Sequence, residues 1–296
     1  MATTLQQVID RLTGFWHGWG CALIPPSSFE VPLGLLHPEA FFRLLDPEAW
    51  QAAFLQPISR PADARGGRHP FRKARHLQLQ VVLGDAELLA PRQLMASSLA
   101  AVGFDLEHHD LRFEDSDLTI AAAGVLGRGW QVVLDGLRIG RVSFLEAVAG
   151  RPPAAVTAEL SYGVERLAMA RSGAADVYAI PWQTAGPTGT RHKRSEEEQE
   201  VFRYSSSVAG ADFHRAQVAA LAEESRRCLE AELPRMAYEL AVRILPSLDH
   251  LEARGSLGQL ERERALAEVG GLVLASAELY RGARAAAESR EPGGEA

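Results

Sequence analysis

The run Gln131-Val-Val-Leu-Asp-Gly-Leu-Arg-Ile139 constrains the fold of this chain more than any other stretch. Apolar residues flank Asp135-Gly136, a dipeptide suited to a two-residue turn with positive φ at both positions. Such a turn joins antiparallel strands, so a purely parallel α/β sheet is ruled out. Residues 142–145 extend the meander, 111–113 read as a short strand, and 156–161 read as another. Residues 52–56 and 76–82 read as two strands around a long polar loop. In the second of these, Gln78 and Gln80 alternate with Leu77, Leu79 and Val81, which gives one polar and one apolar face.

Leu5, Val8, Ile9, Leu12, Phe15 and Trp16 recur at helical spacing, with Gly18 and Gly20 closing that helix. Helices are also predicted over 90–102 and 164–171. Strands joined by hairpins with helices outside imply an α+β fold, an antiparallel sheet flanked by helices. After about Gly210 the chain turns rich in Ala, Leu, Glu and Arg, with helices predicted over 213–233, 234–245 and 257–287. The expected organisation is a core over 1–210, a helical C-terminal domain over 211–287 and a flexible tail over 288–296.

Lys and Arg number 31 against 38 Asp and Glu, a formal charge of −7, which disfavours a bulk-basic nucleic-acid binder. Cys21 and Cys228 are too few for a disulfide framework or a four-Cys zinc site, and reduced thiols are expected. Asp10, Arg11 and His17 interrupt any signal-peptide core, and no run reaches the roughly 20 apolar residues of a membrane span. A cytoplasmic protein is the expectation.

Two stretches suggest chemistry. The loop over 59–75 carries Arg60, Arg65, Arg68, His69, Arg72, Lys73 and Arg75 beside the Gln78/Gln80 strand. Guanidinium forks suit phosphate oxygens, although a solvated basic loop has the same composition. In Ala158-Glu-Leu-Ser-Tyr-Gly-Val-Glu-Arg-Leu-Ala-Met169 a strand ends at a glycine turn and a helix follows with Arg166 in its first turn. A cation there is unfavourable unless an anion lies near, either Glu159, Glu165 or a ligand phosphate. The charge run over 192–200 reads as a solvated loop or helix start. His108-His109-Asp110 and Glu114-Asp115 are weak metal candidates, because adjacent strand residues face opposite ways.

Together these pieces resemble the alpha subunit of the bacterial heterotetrameric glycyl-tRNA synthetase, a class II aminoacyl-tRNA synthetase. Glu30-Val31 and His37-Pro38 resemble its first motif. Residues 52–57 with Arg60-Pro61, Asp63 and Arg65 resemble its second, and Gln78-Leu-Gln-Val-Val82 its returning strand. Tyr162-Gly-Val-Glu-Arg-Leu-Ala-Met169 is very similar to its third motif. Trp130, Gly136 and Leu251-Glu-Ala-Arg254 match too.

The resemblance implies roles. Arg60 would hold the α-phosphate of ATP and Arg166 the terminal phosphates, making these two the catalytic pair. Arg65 and Arg72 would complete the ATP site, with Mg²⁺ bridging the phosphates. Gln78, Gln80 and Glu159 would line the amino-acid side. The expected assembly is a homodimer built through 22–31, with a beta-type subunit through which tRNA is reached. The hairpin departs from the family, whose Trp, Glu, Thr and Gln become Val133, Arg138, Gly140 and Arg141, and a further Trp becomes Leu126. Regular alternation places Val133, Arg138 and Gly140 on one face, so Arg138 becomes the pocket candidate. Arg141 is then expected on the other face with Trp130. Loss of bulk at Val133, Leu126 and Gly140 is expected to open the pocket beyond glycine. Three readings remain open: glycyl-adenylate formation and glycyl-tRNA synthesis; activation of another small amino or carboxylic acid for a non-tRNA acceptor; and a non-catalytic binding relative.

Overall fold

The computed structural model describes residues 3–66, 68–86, 90–182 and 195–289. Its sheet contains β1 (Ala22–Leu23), β2 (Gln51–Ser59), β3 (Arg75–Leu83), β4 (Leu111–Ile120), β5 (Val125–Leu134), β6 (Leu137–Ala147) and β7 (Ala158–Gly163), in the order β1-β2-β3-β7-β6-β5-β4. Five of the pairings are antiparallel, but β1 lies parallel to β2, with Ala22 opposite Ala52 and Leu23 opposite Ala53. The expected antiparallel sheet is therefore mixed at one edge. The long crossover that a parallel pair needs contains helix α2 (Pro38–Arg43).

Strand β4 corrects the reading of 111–113 as a short strand. It runs to Ile120 through Glu114, Asp115 and Asp117 at the opposite sheet edge. Exposed charges are tolerated on an edge strand because they discourage pairing with other chains. The predicted turn forms with φ of 49° at Asp135 and 79° at Gly136. The hairpin above it is irregular: Val132 pairs with Gly140 and Val133 with Arg138, so Ile139 is an extra residue. Such a bulge breaks the alternation of faces.

Helix α1 (Leu5–Trp19) starts with a reciprocal Thr4–Gln7 cap and ends on Gly20 at φ 111°; Gly18 lies inside the helix rather than closing it. With α3 (Pro91–Val102) and α4 (Val164–Ser172) it covers one sheet face, where Leu79, Val81, Val132, Val142, Leu160 and Tyr162 are buried. The other face carries Gln78, Gln80, Glu159 and Ser161 near its middle. At one end it carries a second apolar cluster that includes Ile58, Val82 and Leu145. The C-terminal helices complete that cluster: α6 (Ala211–Glu230), α7 (Pro234–Val242), α8 (Leu245–Ala253) and α9 (Gln259–Glu288). Tyr238 of α7 stacks on Phe41 at 4.3 Å, and its hydroxyl donates to the Leu36 carbonyl.

The helix expected over 234–245 ends at Val242, and a further helix that the sequence reading did not name, α8, follows it. Pro246 sits in the first turn of α8, where its missing N–H does no harm. From Ser195 the charge run is helix α5 (Ser195–Arg203), and its residues 192–194 lie outside the described residues, as does the tail from 290. Cys21 is buried and Cys228 partly buried, both free, and burial pushes the Cys21 thiol up to about 12. No helix among the described residues is long and apolar enough to cross a membrane.

Candidate active site

A cleft of about 440 Å³ opens on the polar sheet face. Its floor is strand surface: His76, Gln78 and Gln80 from β3, Glu159 and Ser161 from β7, and Arg138 and Arg141 from β6. The loop after β2 supplies Arg60, Asp63, Phe71, Arg72 and Lys73, and the first turn of α4 supplies Glu165 and Arg166. The pleat explains the β3 residues, since alternate positions point one way. In register, Gln80 lies beside Ser161 and Val82 beside Glu159, so β3 and β7 present one polar surface.

Arg60 is anchored where the strand breaks into the loop. Its Nε donates to the Pro32 carbonyl at 2.6 Å, and its backbone N–H donates to Ala74. Burial lowers its pKa, while Asp63 and Asp249 oppose the shift. Arg166 donates from Nη1 to the Arg138 carbonyl at 2.9 Å, and its guanidinium lies 5.2 Å from the Phe71 ring centre. Burial lowers its pKa too, with Arg138 and Arg72 adding repulsion. Glu165 favours the Arg166 cation by its charge but forms no close ion pair with it among the described residues. The Glu165 carboxylate accepts from buried Lys73 at 3.4 Å and from the Leu77 N–H at 2.9 Å. Among the described residues, none of Arg60, Arg72, Arg138, Arg141 and Arg166 forms an ion pair. Five cations around one cleft without carboxylate partners make a strong field for an anion.

The surface around Gln80 and Glu159 has the opposite character. Gln80 Nε2 donates to Glu159 Oε1 at 2.7 Å. Glu159 Oε2 and Gln78 Oε1 are buried with no hydrogen-bond partner among the described residues. Two orphaned acceptor oxygens suit an ammonium group, which has three donors. Burial raises the Glu159 pKa, while the Gln80 hydrogen bond and the charge of Arg141 lower it. His76 is pulled down to about 4, chiefly by burial, so its ring is neutral near pH 7.

The structure thus brings together Arg60, Arg72, Arg166, Gln78, Gln80, Glu159 and Arg138. It does not bring in Arg65, which is exposed and folds back on the Ala62 and Ala64 carbonyls. The hairpin expectation is corrected as well. The bulge puts Arg138 and Arg141 on the same face, both lining the cleft, while Gly140, whose backbone also borders the cleft, has its Cβ direction on the other. A Cβ at Gly140 collides with the Ser161 carbonyl oxygen, so the glycine answers to a close strand approach and opens no pocket space. Leu126 is 48% exposed and Val133 does not line the cleft. Sequence reasoning missed Arg141, Lys73 and His76. Lys73 and His76 were visible only as members of a basic loop and the strand after it. His108 and His109 pair separately with Asp105 and Asp135, and no metal-ligating group of three such residues occurs among the described residues.

Helix α8 packs against the loop after β2, beside Arg60 and Asp63. Burial pushes the Asp249 carboxyl up to about 7, Glu252 and Asp63 adding to this and Arg60 opposing it. Between its ordinary value of 3.8 and about 7 the unfolded chain releases this proton while the folded chain keeps it. Stability therefore falls as pH rises through that window. Asp249→Asn is expected to be more stable than the wild type at pH 8 by about 1–2 kcal/mol, reduced from the full shift by partial solvation. The two should unfold alike near pH 4. Thermal melts at both pH values measure this, and no gain at pH 8 would place Asp249 in water.

Solved structures similar to this chain include two of a pyrrolysyl-tRNA synthetase from Desulfitobacterium hafniense. One is 14% identical with a TM-score of 0.43, covering 63% of this chain and 76% of that one. The other is 15% identical with a TM-score of 0.41, covering 64% and 77%. The family profile described as glycyl-tRNA synthetase alpha subunit matches residues 5–285, nearly the whole sequence, including every cleft residue named above. By that match the chain belongs to the glycyl-tRNA synthetase alpha subunit family, a family of aminoacyl-tRNA ligases.

Proposed function

We propose that the cleft forms an aminoacyl-adenylate from ATP and a small amino acid, and that the chain does so as the alpha subunit of a glycyl-tRNA synthetase-type enzyme. The observation that carries this is the meeting, in one cleft, of arginines that form no ion pair among the described residues with the Glu159 and Gln78 oxygens that find no partner there. The arginines fit the phosphates and the oxygens fit the amino group.

In this reading the amino-acid carboxylate attacks the α-phosphorus in line, and pyrophosphate leaves. No covalent bond to the protein is needed. Arg60 holds the α-phosphate, and Arg166 and Arg72 hold the terminal phosphates. ATP enters as its Mg²⁺ complex. Holding both reactants and spreading the phosphate charge onto fixed cations lowers the barrier. The amino acid then passes to tRNA in the cytoplasm, reached through a beta-type partner. The net charge of −7 agrees with that reliance, because tRNA binding depends on cationic surface. The test is amino-acid-dependent ATP–pyrophosphate exchange, with and without the partner subunit. No exchange with any amino acid would refute the reading.

A homodimer belongs to the same proposal. Strand β1 is a two-residue edge with Leu23 49% exposed, followed by Pro25 and Pro26. A two-fold pair would bury this patch from both chains. Sedimentation at micromolar concentration should give a dimer, and a monomer there would count against it.

A further inference from the structure

We infer that the turn Leu33-Gly34-Leu35 sets the amino-acid specificity of this cleft, closing its Gln80 end so tightly that a substrate side chain is excluded. This rests on the adenylation reading above and names the residues that would restrict it to glycine.

The first observation is a close approach of main chain to side chain. The helical turn Gly34–Leu36 packs on β3, and Leu33, Gly34 and Leu35 all line the cleft. A Cβ at Gly34 would collide with Gln80 Oε1 and stand 3.0 Å from Gln80 Cδ. The Gln80 side chain has little room to retreat. It is 1% exposed, and its Nε2 donates to Glu159 Oε1 at 2.7 Å. Glycine at position 34 thus lets the backbone lie directly on the carboxamide that orients Glu159. The turn is also fixed at both ends. Before it, Val31 bridges to Ile58 and the Pro32 carbonyl accepts from Arg60 Nε. After it, the Leu36 carbonyl accepts from the Tyr238 hydroxyl of α7 at 3.1 Å.

The second observation is what lies beyond Gln80. Alternate strand positions share a face, so the next β3 residue on the cleft side is Val82. It is fully buried, and it belongs with Leu35 and Ile120 to the apolar cluster at that end of the sheet. Leu35 and Ile120 line the cleft as well. The polar floor therefore runs into packed core, which gives way little because interiors are close-packed. Glu159 lies in register beside Val82, and its Oε2 is one of the oxygens that suit an ammonium group. An amino group held there places the substrate α-carbon at the closed end, beside Gly34 and Leu35. Glycine needs no room beyond that carbon, whereas a methyl or hydroxymethyl group must displace the turn. A ligand without a side chain can be selected only by exclusion, because each added methyl group would otherwise gain contact.

The experiment is ATP–pyrophosphate exchange with glycine, alanine and serine. It uses the full chain with its beta-type partner, and also Leu35→Ala, Leu33→Ala and Gly34→Ala. In the wild type, glycine should exceed alanine and serine in kcat/KM by more than about tenfold, the low end of what one methylene is worth. Leu35→Ala should raise the alanine-to-glycine ratio of kcat/KM by at least about tenfold. Leu33→Ala should raise it less, because that side chain is only partly buried. Gly34→Ala should instead raise KM for glycine by about tenfold with KM for ATP unchanged, since the new methyl group pushes Gln80 off Glu159. Because the ratio is read within one variant, a general loss of folded protein does not mimic it. Alanine or serine within about tenfold of glycine in the wild type would overturn the inference. So would an unchanged ratio in Leu35→Ala (or, where that variant does not fold, in Leu33→Ala), or a wild-type KM for glycine in Gly34→Ala. If no amino acid supports exchange, the adenylation reading fails instead. Equilibrium dialysis of labelled glycine against labelled alanine then decides the pocket. Preferential glycine binding that Leu35→Ala narrows upholds it, and equal binding, or none of either, overturns it.

Discussion

Replacing Arg166 by alanine is expected to slow amino-acid-dependent pyrophosphate exchange by a few hundredfold or more, about 3–4 kcal/mol of transition-state stabilisation. The side chain is placed by two contacts rather than by a counter-ion: the Arg138 carbonyl holds Nη1, and the Phe71 ring lies under the guanidinium. It sits in the first turn of α4, where the helix end is already positive, so the arrangement is unfavourable until an anion arrives. Charge that grows on the leaving pyrophosphate in the transition state meets a cation already in position. The fold should tolerate the change, because an exposed cation–π contact is worth only about 0.5–1 kcal/mol. Arg166→Lys keeps the charge but loses the planar fork, and intermediate activity is expected. Wild-type exchange kinetics in Arg166→Ala would show that the terminal phosphates bind elsewhere.

The parts of this fold that local chemistry dictates were legible in the sequence. Asp135-Gly136 specifies its turn because few dipeptides accept positive φ twice. The Gln78/Gln80 alternation and the Gly163 turn place β3, β7 and Arg166 around one cleft. What stayed hidden depends on contacts far apart in the chain. The bulge at Ile139 follows from how β6 must meet both β5 and β7, so no pattern within the hairpin announces it. Arg141 was therefore expected on the wrong face. Arg65 has the composition of a phosphate ligand, but local carbonyls capture it. Asp249 lies nearly 190 residues beyond Arg60 in sequence, and only packing of α8 against the loop brings them together.

The same long-range logic sets the largest expected loss of stability. Glu165 reads in sequence as a partner for Arg166, its neighbour. Instead its carboxylate turns inward to Lys73, where the two side chains are 4% and 2% exposed. The pair ties the basic loop to the start of α4, and the Leu77 N–H donates to the same carboxylate oxygen. Glu165→Ala leaves the Lys73 ammonium buried without this carboxylate and strands the Leu77 N–H. A loss of about 3–5 kcal/mol is expected, because removing one partner of a buried ion pair is far more costly than the net worth of the pair. Lys73→Met should be milder. The remaining carboxylate keeps the Leu77 N–H, and it lies in the first turn of α4, where the helix end favours negative charge. The double variant Lys73→Met with Glu165→Leu replaces both charges by apolar bulk and should recover most of the Glu165→Ala loss. Urea unfolding measures all three as shifts of midpoint at constant slope. If Glu165→Ala unfolded within about 1 kcal/mol of wild type, well below the loss expected of a broken buried pair, the Lys73 ammonium would not depend on this carboxylate. The link between the basic loop and α4 would then contribute little to the fold.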